Sequence, residues 1–518
     1  MAILVAFTDT NTNEDGYEIY VRGTEMTWDT DLPTPHVLPP NSNSAKLDYD
    51  ETQEWYVIVA AVKGSSKMPA PQVHYEPGAG AGAYQNEIIN DGPVLYWRME
   101  ETGGTVAADA SGNGYDGAYQ SNAVLAQPAL FAGSGVSVKG LAAGKVVIAP
   151  VSVAPSNKIS GTIAVKLPSK PAANSVLFSR QRDGYWPQVQ FGVNQAGQPY
   201  FQLYYQNSDS GRANVIAPLD MCDGNTHILG YSWDRTGDKI PRIYIDGELA
   251  AYGPAWDYDL VVASLHEFTV NAPVINTFVD EAALFFSGIP ATRFQAHYAA
   301  SVGYAEENDP HLSDVVFLIN ASGVDGSTVI TDFKGKTITV AGDAKISTSP
   351  GVPVVTFDGT GDYLEAAAHA DFALGSIWTI EFLFIPGTND GAYTRAILAT
   401  NNWNTAGSGF CIGQYLGRLS VSNGSTLLLN SVGDLAQRTV NAVVVACDGT
   451  NTRIFLNGAL LTTVAAATIT SDKALRVADT PTGANRQNDC KVRAVRLTKG
   501  VCRRTTAYTP RLALYPEQ

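Results

Sequence analysis

The sequence predicts an all-β protein, built as three β-sandwiches in series. The chain has 518 residues, enough for about three or four domains of ordinary size. Glycine (48), proline (27) and tyrosine (24) are abundant, and charged residues make up 16% of the chain against the usual ~25%. Turn formers and aromatic residues in these amounts are typical of β-sandwiches. Helical periodicity is nearly absent, and one short helix is predicted over 290–300, with Pro290 near its start.

The first block, residues 1–77, carries apolar segments with a strand-like pattern, "YEIYVRG" and "WYVIVAAVKG". With their flanks, "FTDTNTNEDGYEIYVRG" and "YVIVAAVKGSSK", they resemble strands of a fibronectin type III domain, an immunoglobulin-like sandwich, with the first strand missing. The resemblance implies an open sheet edge. A neighbouring chain could fill that edge by strand addition, which makes it the expected anchor. Residues 78–84, in the Gly/Ala-rich stretch "EPGAGAGAY", are predicted to be a linker.

The remainder of the chain reads as a repeat, with copies at 85–305 (the first repeat) and 306–518 (the second repeat). "RIYIDGELA" from residue 242 matches "RIFLNGALL" from residue 453, and the Asp-Gly and Asn-Gly pairs predict tight hairpins. "VLYWRMEETGG" from residue 94 matches "VVFLINASGVDG" from residue 315. "FVDEAALFF" from residue 278 matches "KVRAVRLTK" from residue 491. Landmarks in the same order at similar separations indicate duplicated domains.

Both repeats resemble laminin G-like domains, which belong to the concanavalin A-like jelly rolls. The first carries an opening "YWRMEETGGTVAADASGNGYDGAY" and a closing "VDEAALFFSGIPATRFQAHYAA". The second, with "TFDGTGDYLEAAAHADFALGSIWTIEFLF" and "VRAVRLTKGVCRRTTAYTP", is similar to a variant frequent in bacteriophage virion proteins. The resemblance implies the fold of both repeats. It does not fix their function, because this sandwich hosts lectins, adhesion modules and structural spacers.

In laminin G-like domains, the acidic opening and an aspartate of the closing strand often meet around a calcium ion. The resemblance therefore implies a calcium site in the first repeat, where carboxylates and a Gly-rich loop supply the oxygen ligands that calcium prefers. The matching residues are Glu100, Glu101, Asp109, Asn113 and Asp280. The alternative is that Asp109 and Asn113 only cap turns through bonds to nearby backbone N–H groups.

The second repeat departs from this pattern. Asp332 matches Asp109, but Arg493 stands where the first repeat has Asp280. Because a cation there would repel calcium, we predict that Arg493 lies near Asp332 and replaces the metal with an ion pair. In that case the role of the site is to tie two strands together.

Aromatic residues in loop-like contexts are the candidates for glycan binding. Flat rings beside Asp, Asn and Gln are suited to stack on sugars while polar groups hold the hydroxyls. The candidates are Tyr185, Trp186, Trp256, Tyr258 and Trp403. The alternative is that these rings only cover the rim of the sandwich. Trp97, Trp233 and Trp378 lie within strand patterns and are predicted to be core residues.

Charge and motifs exclude several function classes. The formal net charge of −16 opposes binding to nucleic acid, and no apolar run approaches the ~18 residues of a membrane span. The start "MAILVAFTDT" does not resemble a signal peptide. Five widely spaced cysteines, without a CxxC pair, predict free thiols in a reducing compartment. No GxSxG, HExxH or Walker motif is present, so catalysis is not expected.

The sequence thus favours a non-enzymatic bacteriophage protein on the virion surface, made in the host cytoplasm. It would be a head decoration or a tail-associated appendage that contacts capsid or tail proteins and adheres to glycans. Fibronectin type III and laminin G-like modules are both common on virions. Two alternatives remain: a cellular carbohydrate-binding adhesin, and an accessory binding subunit of a polysaccharide-degrading enzyme.

Overall fold

The computed structural model divides the chain into two compact units, Met1–Gln85 and Asn86–Gln518. Antiparallel β-strands dominate both units, so the predicted all-β fold class is confirmed. The structure describes residues 3–6, 14–24, 26, 28, 32–39, 44–47, 55–69, 73–75, 80–131, 133–151, 157–181, 188–205, 208–260, 266–302, 309–349, 351–388, 391, 393–407, 409–481 and 487–517.

The first unit contains a two-stranded and a five-stranded antiparallel sheet. The smaller sheet pairs β1 with β4, and the larger has the order β3-β2-β5-β6, with β7 also paired to β5. Ile19, Val21 and Val57 of the larger sheet pack with Leu47 of the smaller one. Burial of these apolar side chains holds the two sheets together. The strands are β1 (Ile3–Ala6), β2 (Gly16–Arg22), β3 (His36–Leu38), β4 (Ser44–Leu47), β5 (Trp55–Lys63), β6 (Ser66–Pro69) and β7 (Val73–Tyr75).

The predicted linker is partly helical. Helix α1 (Gly80–Asn90) begins inside the Gly/Ala-rich stretch, so residues 80–84 of the predicted linker are helical. The physical reason lies downstream, where Ala, Gln, Glu and Ile are acceptable helix formers and Ile88 is fully buried. Helix formation is cooperative, so a turn that is stabilised by packing extends into the glycines before it.

The first repeat is a sandwich of two antiparallel sheets. One has the order β18-β17-β16-β15-β22-β13-β10-β9, and the other β11-β12-β23-β14-β19-β20-β21, with β8 paired to β23. The strands are β8 (Leu95–Trp97), β9 (Val106–Ala107), β10 (Gly117–Tyr119), β11 (Ala123–Pro128), β12 (Val136–Gly140), β13 (Gly144–Val151), β14 (Lys158–Lys166), β15 (Ser175–Gln181), β16 (Val189–Val193), β17 (Pro199–Tyr205), β18 (Ser208–Ile216), β19 (Thr226–Asp234), β20 (Arg242–Ile245), β21 (Glu248–Tyr252), β22 (His266–Ala272) and β23 (Thr277–Phe285).

Helix α2 (Ala291–Val302) follows the last strand of the first repeat, directly after Pro290, and confirms the predicted helix. Its Arg293 Nε and His297 Nε2 each lie 2.7 Å from the carboxylate of Asp91, just past α1.

The second repeat is again a two-sheet sandwich. Its sheets have the orders β26-β27-β38-β29-β34-β35-β36, with β24 paired to β38, and β25-β28-β37-β30-β31-β32-β33. Two short 3₁₀ turns, Leu312–Asp314 and Ala370–Phe372, precede β24 and β29. The strands are β24 (Val315–Asn320), β25 (Ile338–Ala341), β26 (Lys345–Ser347), β27 (Val354–Asp358), β28 (Tyr363–Ala366), β29 (Ile377–Pro386), β30 (Arg395–Ala399), β31 (Phe410–Tyr415), β32 (Arg418–Asn423), β33 (Thr426–Asp434), β34 (Asn441–Asp448), β35 (Asn451–Leu456), β36 (Ala459–Ala465), β37 (Leu475–Val477) and β38 (Asp489–Lys499).

The sequence landmarks occupy corresponding places in the two sandwiches. The hairpins β20–β21 and β35–β36 turn through Asp246-Gly247 and Asn457-Gly458, and all four residues have φ between 50° and 80°. This is the left-handed backbone that Asp-Gly and Asn-Gly pairs supply. Each opening strand, β8 or β24, pairs with the closing strand, β23 or β38. The three tryptophans predicted to be core residues, Trp97, Trp233 and Trp378, are at most 1% exposed.

The two repeats also contact each other through backbone hydrogen bonds. Tyr252 donates its N–H to the carbonyl of Arg438, and Val440 donates to the carbonyl of Ala250, both at 3.0 Å. A segment of the second repeat therefore pairs with the edge strand β21 and extends its sheet.

Candidate functional site

The aspartate of the opening loop organises a turn in the first repeat. Asp109 Oδ1 accepts hydrogen bonds from the backbone N–H groups of Tyr96 and Ser111 at 3.0 Å, and Oδ2 accepts one from Tyr115 at 2.9 Å. Asn113 donates its amide to two carbonyl oxygens just before β8, at 3.1 Å. Backbone N–H groups thus occupy Asp109, as the turn-capping alternative predicted, whereas Asn113 holds the loop by donating to carbonyl oxygens instead.

Asp332 builds the corresponding turn in the second repeat. Its Oδ1 accepts hydrogen bonds from the backbone N–H groups of Leu318 at 2.8 Å and Lys334 at 3.1 Å, and its Oδ2 accepts one from Lys336 at 2.9 Å. Leu318 holds the place in β24 that Tyr96 holds in β8. Both aspartates therefore fasten a loop to the opening strand, which is a structural role.

The predicted ion pair between Arg493 and Asp332 is wrong. The strand registers do place Arg493 where the first repeat has Asp280, since each directly follows the valine (Val492 or Val279) that pairs with β29 or β14. However, the Arg493 guanidinium forms a buried ion pair with Glu248 of the first repeat and donates to the carbonyl of Leu512 at 3.2 Å. Backbone N–H groups already satisfy the Asp332 carboxylate, and the nearest carboxylate to Arg493 comes from the other sandwich.

Three carboxylates of the first repeat, those of Glu100, Asp280 and Glu281, lie close together, and we call this group the acid cluster. Arg98 forms an ion pair with Glu100, and its Nε lies 3.6 Å from Glu281 Oε1. Glu281 also accepts a hydrogen bond from the hydroxyl of Tyr96. Asp280 is fully buried beside Glu281, and its Oδ2 has no hydrogen-bond partner among the described residues. A buried carboxylate oxygen without a partner is costly, so it points to a missing cation or a proton.

Burial disfavours the ionised form of the carboxyl groups in the acid cluster. Burial and the charge of Glu281 raise the pKa of Asp280 well above its usual value. Burial raises the pKa of Glu281 to about 7, although the Tyr96 hydroxyl and the charge of Arg98 oppose this shift. Burial also raises the pKa of Glu100.

Glu101, the fifth predicted calcium ligand, is engaged separately. Its Oε1 accepts a hydrogen bond from the backbone N–H of Ala108 at 2.8 Å, and its Oε2 accepts one from the hydroxyl of Tyr119 at 2.5 Å. Of the predicted set, only Glu100 and Asp280 belong to the acid cluster, and Glu281 is a member that the sequence analysis missed. Glu281 follows Asp280 directly at an irregularity of β23 and has φ of 51°.

The predicted sugar-stacking aromatics have different surroundings in the structure. Tyr185 and Trp186 lie outside the described residues. Trp256 is 5% exposed, its ring lies 5.0 Å from that of Trp233, and its indole N–H donates to a backbone carbonyl. It is a core residue, so the prediction that its ring meets a sugar at the surface is wrong. Tyr258 is 42% exposed, with its ring 5.5 Å from that of Trp256, and it stays a candidate.

Trp403 covers small side chains on the outer face of the second sandwich. It is half-buried and packs against Ala396, Ala399 and Cys411. This packing favours the alternative reading, in which the ring covers the sandwich, although part of the ring stays accessible.

A polar surface that the sequence analysis missed lies on β16, β17 and β18. Phe191 and Phe201 of this sheet point into the core, with rings 5.2 and 4.7 Å from that of Tyr231. Since neighbouring residues of a strand point to opposite faces, the polar residues between them lie on the outer face. We call this group the tyrosine–amide face and define it by Gln190, Tyr200, Gln202, Tyr204 and Asn214. Asn214 is exposed and Gln190 half-buried, whereas Tyr200, Gln202 and Tyr204 are at most 9% exposed.

The side chains of the tyrosine–amide face are linked to each other. The Tyr204 hydroxyl lies 2.8 Å from Gln202 Oε1 and 3.1 Å from Gln190 Oε1. Gln202 donates its amide to Asn214 Oδ1 at 3.0 Å. With their oxygens engaged, the amide nitrogens of Gln190 and Asn214 have no hydrogen-bond partner among the described residues. They are therefore fixed donors that a ligand can use.

Tyr200 completes the tyrosine–amide face next to Gly192. A Cβ at Gly192 would lie 2.7 Å from the Tyr200 ring, so the glycine makes room for the aromatic side chain. Burial raises the pKa of Tyr200 to about 12. The phenol is neutral at physiological pH, so it adds no charge to the face.

One further acidic group occurs in the second repeat, where Asp343, Asp358 and Asp362 lie close together. Asp343 and Asp358 are exposed, and Asp362 is buried. Asp362 accepts backbone N–H groups of Asp343 at 2.8 Å and of Asp358 at 3.0 Å. These hydrogen bonds account for the closeness of the three aspartates, because they let Asp362 cap a turn.

The five cysteines are free thiols, as predicted. Among the described residues, neither helix is long and apolar enough to cross a lipid bilayer.

Comparisons with known proteins find fold likeness only. No protein-family model and no curated protein matched the chain, so the family resemblances stated above stay predictions. A Trypanosoma rangeli sialidase is 12% identical with a TM-score of 0.31, over 47% of this chain and 42% of the sialidase. This chain thus spans less than half of the sialidase. The binding domain of botulinum neurotoxin DC in complex with SialylT is 12% identical with a TM-score of 0.33, over 75% of this chain and 99% of that domain. Likeness at this level carries no argument about function.

Proposed function

We propose that this protein is a non-enzymatic adhesion protein of a bacteriophage virion surface, and that it binds glycans through the tyrosine–amide face. It would serve as a head decoration or a tail-associated appendage, held by capsid or tail proteins. The resemblance of the second repeat to a virion-protein variant supports the virion location. The edge strands β3 and β6 of the first unit support strand addition as the mode of attachment.

The single observation that carries glycan binding is the pair of unengaged amide donors beside tyrosine side chains. Sugar hydroxyls need fixed hydrogen-bond partners, and the accessible amides of the face can supply them, while its buried tyrosines hold the network in place. Gln190 and Asn214 supply the donors, and the network through Gln202 and Tyr204 fixes their orientation. None of these side chains exchanges a proton near neutral pH, so the face can hold a glycan but offers no general acid or base.

A glycan array probed with the full chain tests this proposal. We expect the double variant Gln190→Ala/Asn214→Ala to bind its best glycan about tenfold more weakly, because two hydrogen bonds of ~0.5–1.5 kcal/mol each are lost. Gln437→Ala is the matched control, since Gln437 is an exposed glutamine of the second repeat. No binding by the unmodified chain, or equal binding by the double variant, would contradict the proposal.

The virion location has its own test, a mass-spectrometric inventory of purified phage particles. We expect the chain in a fixed copy number relative to the capsid or tail proteins. Its absence from particles, with the chain present in the host cell, would contradict this location while leaving glycan binding untouched.

We also propose that the acid cluster holds calcium. The residues fit a cation, because Asp280 has a buried oxygen without a partner, and the three carboxylates outnumber the single positive charge of Arg98. These three carboxylates would hold the ion. Its charge would offset the burial of the carboxylates and fasten the closing strand to the loop after β8.

Thermal unfolding with and without calcium tests this site. Calcium at about 100 times its Kd is expected to stabilise the unmodified chain by about 2.7 kcal/mol. Asp280→Asn removes a buried carboxyl group that must ionise to hold calcium, at nearly constant shape, so we expect no loss of stability without calcium and no response to calcium. Asp343→Asn is the discriminating control. If it, rather than Asp280→Asn, abolishes the calcium response, the ion binds elsewhere and the proposal is wrong.

A further inference from the structure

A cavity of about 300 Å³ lies in the second repeat, between the outer face of a sheet and the C-terminal segment. Side chains of β29, β34 and β38 form its floor, and residues 502–516 form much of its wall. Its charged lining consists of four arginines and two carboxylates, and we call it the arginine cavity. These residues are Asp309, Glu381, Arg496, Arg503, Arg504 and Arg511.

Two of the arginines are neutralised by the two carboxylates. Arg503 holds Asp309 through both oxygens, at 2.8 and 2.9 Å. Arg496 lies between the acids, 2.9 Å from Asp309 Oδ2 and 2.7 Å from Glu381 Oε2. Burial opposes ionisation of Asp309, but the hydrogen bond from Arg503 and the neighbouring charges outweigh it and lower the pKa of Asp309. This network is balanced in charge and needs no ligand.

Arg504 leaves the cavity with a positive charge that neither carboxylate of its lining neutralises. Arg504 is exposed, and its guanidinium carbon lies 4.4 Å from the centre of the Tyr508 ring. No carboxylate of the described residues lies within ion-pair distance of Arg504. Arg511 is exposed as well, and its guanidinium lies 5.7 Å from the ring of Tyr298, in the first repeat. A local positive excess stands out in a chain with a net charge of −16.

We propose that the arginine cavity binds a small carboxylate-bearing ligand, and that Arg504 pairs with its carboxylate. A planar guanidinium matches a carboxylate through two parallel hydrogen bonds, and a ring stacked beneath it limits its motion. The volume is at the small end of ligand pockets, which suits one ring-sized molecule rather than a chain. The further assignment to an acidic sugar unit, such as a uronic acid, rests on the proposed glycan-binding function.

The cavity binds its ligand without reacting with it. Arginines engage both of its carboxylates, so neither is a free general acid or base. Cys502 also lines the cavity, but burial raises the pKa of its thiol, so the reactive thiolate is disfavoured. The lining therefore offers recognition groups and no activated nucleophile.

Titration calorimetry of the full chain with glucuronate tests the proposal, with glucose and inorganic phosphate as comparison ligands. We expect glucuronate to bind, glucose to give no heat, and phosphate to bind at least tenfold more weakly than glucuronate. Arg504→Gln should weaken glucuronate binding about tenfold, the usual effect of losing one charge-assisted hydrogen-bond pair. Arg418→Gln is the matched control, because Arg418 is an exposed arginine of the same repeat that pairs with Asp434.

Each other result overturns a defined part of the proposal. No glucuronate binding, or equal binding to the Arg504→Gln and unmodified chains, refutes the site. Phosphate binding as tight as glucuronate refutes the carboxylate specificity. The double variant Gln190→Ala/Asn214→Ala separates this site from the tyrosine–amide face. This double variant should keep full glucuronate affinity. A loss of affinity would show that glucuronate binds at the tyrosine–amide face instead.

Discussion

Arg493→Met is expected to destabilise the unit Asn86–Gln518 by about 3–5 kcal/mol, because it leaves the buried carboxylate of Glu248 without its cation. Arg493 is 2% exposed, so water cannot replace the lost partner. Methionine keeps most of the volume of the side chain, so the loss reports the charge rather than a cavity. Urea unfolding of the full chain, followed by tryptophan fluorescence, measures the effect.

The double variant Arg493→Met/Glu248→Leu separates charge from packing. Removing both charges takes away the desolvation cost of both, so the double variant should recover most of the stability. Arg418→Met is the control, since Arg418 pairs with an exposed Asp434 and the change should stay within about 0.5 kcal/mol. If Arg493→Met costs no more than this control, the pair does not hold the repeats together.

Asp309→Asn is the second change for which we expect a loss of about 3–5 kcal/mol, since it removes a buried anion that two arginines share. Arg496 keeps Glu381 as a partner, but Arg503 loses both of its short contacts. The change is nearly constant in shape, so packing contributes little to the loss. The same unfolding assay measures it.

Asp434→Asn provides the matched control for Asp309→Asn. It removes an exposed carboxylate that pairs with one arginine, and a change within about 0.5 kcal/mol is expected. A loss of less than 1 kcal/mol for Asp309→Asn would show that water enters the arginine cavity and screens its charges.

Much of the fold could be predicted from the sequence because its signals are local. The Asp-Gly and Asn-Gly pairs at 246–247 and 457–458 fix the hairpins whatever lies around them. Trp97, Trp233 and Trp378 lie in apolar strand patterns, and burial follows from that pattern. Helix α1 was missed because its first residues are glycine and alanine, which by themselves are more typical of a linker.

The candidate sites were harder to predict because they depend on contacts between distant segments. The match of Asp109 with Asp332 was visible in the sequence, and the structure gives both the same turn. The partner of Arg493 was not visible, because Glu248 comes from the other repeat and meets it only after the two sandwiches dock. The tyrosine–amide face did leave a signal, since polar and apolar residues alternate along "VQFGV" and "PYFQLYY".

The ion pair between Glu248 and Arg493 also limits how such domains can be joined in tandem. At the hairpin position of Glu248 the second repeat has Ala459, and at the strand position of Arg493 the first repeat has Asp280. The acid and the base are thus divided between the copies, and the contact has a direction, like the head-to-tail joints of open polymers. A third copy of either kind appended by the same joint would lack at least one of the two charges, and so would dock without this ion pair.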